Sequence, residues 1–303
     1  KQVAYKTQTP QSHQTQQSCQ RKTNRGKKAS GHAERFQKKN WQGDLVNGII
    51  MKSFFLLIPF ALLSFFTKQS STDNAIPNNS GTVKIRFINT VKGKPLELHT
   101  GKYLNPFGEE YSISKFKYYV SGVSLQRGKA VFFEEESFHL IDENNADALQ
   151  FSFALGAGAY NSLQFMLGVD SLHNVSGAQS GALDPLNDMF WTWNSGYVMA
   201  KIEGRSPQST LVNNKLEFHI GGFMGENNVL KNITLNFPAG KSLNIQEGKT
   251  SEIVIEADID KWWQQPNEIK IAEHPVCSSP GPLAKIIADN YSKMFTIKDI
   301  VNN

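Results

Sequence analysis

The stretches YVMAKIE (197–203) and KLEFHIG (215–221) decide the fold of this chain. In the second, Leu216, Phe218 and Ile220 alternate with Lys215, Glu217 and His219. That period of two is the signature of a strand with one buried and one exposed face. The same grammar extends outward in both directions. Toward the N-terminus it recurs in TVKIRFINT (82–90), SKFKYYVSGVSL (114–125), SFHLID (137–142), LQFSFAL (149–155) and SLQFMLGV (162–169). Toward the C-terminus it recurs in KNITLNF (231–237) and SEIVIEADI (251–259). These runs are rich in β-branched and aromatic residues, and Gly, Asn, Pro and Lys turns separate them. Strand after strand without intervening helices predicts an all-β domain, an antiparallel β-sandwich. A short C-terminal helix is expected at PLAKIIADNYSKMF (282–295), and a turn at PLNDMF (185–190).

One connection breaks the rhythm. DSLHNVSGAQSGALDPLNDMFWTWNSG (170–196) joins two strands without a strand pattern of its own. A connection this long in a compact domain is usually functional or disordered. Disorder would leave Met189, Phe190, Trp191 and Trp193 in water, so an ordered lid or binding loop is expected.

The 303 residues do not all belong to this domain. Residues 1–50 are dominated by Gln, Lys, Ser and Asn and carry no strand or helix period, which predicts a disordered leader outside the mature protein. MKSFFLLIPFALLSFFTKQS (51–70) has a charged start and an apolar run of signal-peptide length, too short for a comfortable membrane span. No Cys follows that run, so a lipid anchor is not indicated. Residues 71–303 are therefore expected to form one exported domain, in the bacterial periplasm or at the cell surface.

This division reverses the charge argument. The whole chain is formally +5. Residues 71–303 keep 20 basic and 25 acidic side chains, a formal charge of −5. The basic character belongs to the leader, and nucleic acid drops out as a partner. Cys19 also lies before the domain, leaving Cys277 alone. An intramolecular disulfide, a zinc site of paired cysteines and covalent haem attachment are thereby excluded.

Five histidines remain beyond residue 70: His99, His139, His173, His219 and His274. A metal site needs imidazoles that are not locked in the core and that converge from different segments. His219 meets the first condition, because it points away from Leu216, Phe218 and Ile220. His139 points away from Phe138 and Leu140 in the same manner, and His173 sits early in the long loop. Met189, Met199 and Met224 offer thioethers, although methionine more often fills a core. No Ser–His–Asp or Cys–His arrangement stands out, so no enzyme activity is expected. Two other readings of the loop stay open. Trp191, Trp193 and Tyr197 beside a turn suit a metal-free surface module for a glycan or protein, and Asp184 with Asp188 would suit Ca²⁺.

The ordered motifs of the loop add a resemblance. GVDSLHNVSGAQSGALDPLNDMFWTWNSGYVMAKIEG (168–204), FHIGG (218–222) and, more loosely, ISKFKYYVSGVSL (113–125) resemble the MbnP family of exported copper-binding proteins. The likeness runs over most of residues 81–260. It implies a β-rich protein that binds copper through histidines, here His173 and His219. It further implies Trp191 or Trp193 as a ring open to oxidation or as a wall over the metal, with Met189 and Tyr197 lining the site. A di-haem partner of the cytochrome c peroxidase type is the oxidant the family implies. Two departures stand out. His173 follows Leu172 and precedes Asn174, where relatives tend to place Asn before His. GGFMGENN (221–228) stands where some relatives carry a cysteine pair.

Overall fold

Alternation in TVKIRFINT becomes a strand whose side chains face two ways. In β1 (Ser80–Val91), Val83, Ile85 and Phe87 turn into the core, and Lys84 and Arg86 turn outward. The computed structural model describes residues 79–193 and 196–303. The expected leader (1–50) and the expected signal peptide (51–70) lie outside the described residues. Among the described residues no helix is long and apolar enough to cross a membrane.

The other expected strands form as β2 (Glu110–Arg127), β3 (Phe138–Asp142), β4 (Gln150–Gly156) and β5 (Ser162–Leu167). They continue as β6 (Gly196–Arg205), β7 (Lys215–Gly221), β8 (Lys231–Asn236) and β9 (Thr250–Asp258). One sheet sets β9 and β4 on either side of β1, and β10 (Phe295–Val301) outside β9. The larger sheet is organised on the 18-residue β2. One edge of β2 pairs β6 through residues 112–118 and then β5 through 120–126. Its other edge takes β3 and a short strand at Ala130–Phe133. β7 lies outside β6, and β8 outside β5.

The two sheets meet through rings. Phe87 of β1 packs 5.9 Å from Tyr118 of β2 and 6.3 Å from Phe165 of β5, centroid to centroid. Phe295 of β10 closes the same cluster, 5.2 Å from Phe165. Such edge-to-face pairs add to the area they bury. The expected β-sandwich is therefore present.

Its sheets are mixed rather than purely antiparallel. β1 runs parallel to β9 over Thr82–Thr90 and Thr250–Asp258. β7 runs parallel to a two-residue strand at Val276–Cys277. A parallel pair needs a crossover, and here the larger sheet itself lies between β1 and β9 in the chain. The C-terminal helix, α2, runs Pro282–Tyr291, and the tail of the expected helix instead enters β10. Trp262 and Trp263 close the core beneath it, both fully buried, with Trp262 4.7 Å from Tyr291.

Candidate metal centre

The long loop leaves β5 where the sheet divides between β5 and β6, and it is ordered. Asp170 caps α1 (Ser171–Val175) by accepting a hydrogen bond from the His173 backbone N–H. Two 3₁₀ turns follow, Gly181–Leu183 and Pro185–Asn187, before Phe190–Trp191 pairs with Tyr197 and Gly196 of β6. Buried Asn174 ties the two ends together. Its amide donates to the carbonyls of Val169 and Asp170, and its oxygen accepts from Tyr197 N–H at 2.9 Å. Tyr197 is itself buried and donates its hydroxyl to Leu183 O at 2.7 Å. Met189 is core, so neither it nor Tyr197 offers a free group to a ligand.

The two tryptophans divide the work. Trp191 is 7% exposed and lies over Gly221 of β7. Trp193 is 64% exposed, its ring 5.4 Å from that of Trp191.

On the outer face of the larger sheet, register builds a polar lattice. Lys201 of β6 stands between His219 of β7 and Lys117 of β2, and Glu203 stands between Glu217 and Lys115. His219 points outward with Glu217, as alternation requires. Its Nε2 meets Glu203 Oε1 at 2.9 Å. Donor atoms of Glu203, Glu217 and His219 all lie within 4.8 Å of one another. Three lysines balance the carboxylates. Lys115 reaches Glu203 Oε2 at 3.3 Å, Lys201 reaches Oε1 at 3.6 Å, and Lys215 pairs with Glu217. The loop closes over this lattice. Lys201 donates to Asp188 O, Lys117 to Asn187 O at 3.1 Å, and Asp188 Oδ2 sits 2.9 Å from Lys115 and 3.0 Å from Lys201.

The charges respond accordingly. The His219 hydrogen bond, with Lys115 and Lys201 beside it, holds the Glu203 carboxyl at about 2 against the effect of burial. Burial also opposes ionisation of Asp188, yet hydrogen bonds from Lys115 and Lys201 bring it down to about 2. Asp188 is thus taken up by ammonium groups, and Asp184 Oδ1 accepts from Leu186 N–H. The Ca²⁺ reading of this pair finds no free carboxylate at Asp188.

His173 and His139 belong to no such three-donor group among the described residues. His173 Nδ1 meets Asp170 Oδ2 at 2.6 Å, and its ring lies 4.3 Å from Phe138. It lines an open cleft of about 720 Å³ with Glu134, Glu136, Asp170 and Gln179. His139 stacks on Phe151 at 3.5 Å and bonds Glu134 at 2.9 Å. Each of the three imidazoles therefore keeps one nitrogen on a carboxylate, the arrangement that orients a metal-ligating histidine. Glu203 was not legible as a site residue, because only the β6–β7 register sets it beside His219.

One imidazole and two carboxylates form a nitrogen–oxygen donor set that fits a borderline ion such as Cu(II). The lysines must yield some of their hold on those oxygens when a cation enters.

The solved structure of MbnP from Methylosinus trichosporium is similar at 17% identity and a TM-score of 0.44, covering 63% of this chain and 79% of that one. No curated protein matches. The MbnP family profile matches residues 80–279, which is most of the described fold and includes the loop, His173 and His219, so the chain belongs to the MbnP family.

Proposed function

We propose that this chain is an exported copper-binding protein and not an enzyme, serving copper scavenging, storage or delivery. The observation that carries the reading is the His219–Glu203–Glu217 group inside the span that matches the family. His219 and Glu203 offer a nitrogen and an oxygen once a cation displaces the hydrogen bond between them, and Glu217 offers an oxygen once Lys215 swings away. His173, oriented by Asp170, is the second imidazole to test. Copper bound there would supply a redox-active Lewis acid, and buried Trp191 packs on Gly221, two residues along β7 from His219. A di-haem peroxidase-like partner is supported by the ring pair, since an external oxidant meets exposed Trp193 first and Trp191 lies next to it.

Copper content and affinity of the full chain, measured beside His219→Ala, His173→Ala and the double variant, test this. The intact chain is expected to carry one equivalent of copper, and His219→Ala to lose at least about tenfold in affinity. Unchanged affinity in the double variant rejects the assignment.

Exposure of Trp193 favours a second reading, a metal-free module that holds a glycan or protein on that ring. Glycan binding that is lost in Trp193→Ala and indifferent to chelators would favour it.

A further inference from the structure

The loop and the candidate ligands lean on the same two ammonium groups. Lys115 lies 2.9 Å from Asp188 and 3.3 Å from Glu203. Lys201 lies 3.0 Å from Asp188 and 3.6 Å from Glu203. Asp188 belongs to the loop, and Glu203 to the strand pair that holds His219. Lys201 is only 2% exposed, so water screens its share of the interaction weakly. Like charges around shared cations oppose each other. Withdrawing the charge of Glu203 leaves Asp188 more tightly held, because a repulsion is removed and both attractions stay.

We infer that Lys115 and Lys201 are positioning residues, a shared clamp that couples seating of the 170–193 loop to the negative charge at Glu203. Neutralising Glu203, by substitution or by a cation bound beside it, tightens the loop. The cation arm rests on the copper reading above, whereas the substitution arm does not. Removing a negative charge from the sheet should therefore quieten the loop rather than loosen it.

Hydrogen exchange of the full chain, followed by mass spectrometry, reads this directly. Peptides covering 182–193 report the loop, and β1 peptides covering 82–90 report global opening. Glu203→Gln, which keeps a hydrogen-bonding partner for His219, should slow loop exchange about fivefold or more relative to β1. Asp188→Asn should speed it by a similar factor. Lys115→Met should also speed it, and Lys115→Arg should restore the intact rate. If Glu203 merely braces the scaffold, Glu203→Gln leaves loop exchange unchanged or faster, and either result overturns the clamp. Added Cu(II) should slow the intact loop as Glu203→Gln does, whereas Cu(II) that binds and speeds the loop overturns the coupling. If Cu(II) fails to bind while the substitutions behave as stated, the copper reading fails and the clamp stands.

Discussion

Gly221 shows how little room the site allows at a single residue. A Cβ placed there would come within 2.5 Å of the Trp191 ring and 2.8 Å of Tyr197 O. The first contact could ease by ring movement, but the second is backbone and cannot. Gly221→Ala should therefore destabilise the protein by about 1–3 kcal/mol, as overpacked cores do. In a Trp191→Leu background the same substitution should cost less but still cost something. Urea midpoints of the two single variants and the double variant check this, and a Gly221→Ala cost that vanishes in the Trp191→Leu background would mean that the carbonyl contact is harmless. At this scale the sequence was informative about direction and silent about company. Alternation turned His219 outward with Glu217, and the same rule kept Leu216, Phe218 and Ile220 inside. It could not show that Trp191 fills the space above Gly221. Nor could it show that Lys201, an outward residue by its period, is covered by Asp188 and buried.

Among the elements, the 170–193 loop was legible as ordered because its aromatic residues needed cover, and its anchor was not. Asn174 reads in sequence as an ordinary loop polar residue, yet it satisfies the carbonyls of Val169 and Asp170 and the amide of Tyr197 at once. Asn174→Ala leaves buried backbone groups without partners, at a cost of about 1–3 kcal/mol. The urea midpoint should fall with an unchanged slope, and the near-ultraviolet signal of Trp191 should weaken. A midpoint equal to that of the intact chain would show that water replaces the amide freely. The parallel pairing of β1 with β9 was hidden for a different reason. Val83, Ile85 and Phe87 match Ser251, Ile253 and Ile255 in register, but pattern along a strand carries no information about a partner so distant in the chain. Similarly, α2 was legible from its apolar spacing, while Phe295, the first residue of β10, was placed at the end of that helix because Met294 and Phe295 continue the same spacing.

For the whole molecule, the carboxylates set how stability depends on pH. Glu203 falls from 4.5 to about 2 and Asp188 from 3.8 to about 2. Glu252 is also lowered, by the Arg86 hydrogen bond foremost and by Lys84, and it joins β9 to β1. A carboxyl depressed by folding contributes stability that is fully present above its unfolded value and is lost as pH falls through the folded one. Glu143 and Asp260 act in the opposite sense, because burial raises both. Protonating them removes a buried charge, and this happens at higher pH than the loss at Glu203 and Asp188. The two groups of residues therefore separate along the pH axis. Stability should hold level or rise slightly as pH falls toward about 5, then drop steeply between about 4.5 and 2. The double variant Glu203→Gln/Asp188→Asn should have a flatter acid limb than the intact chain, since two of the depressed carboxyls are gone and the raised pair is untouched. Urea midpoints from pH 7 to pH 2.5 measure both curves. An acid limb of equal steepness in the two proteins would place the pH dependence elsewhere and would mean that the lysine clamp binds its carboxylates no more tightly in the folded chain than in the unfolded one.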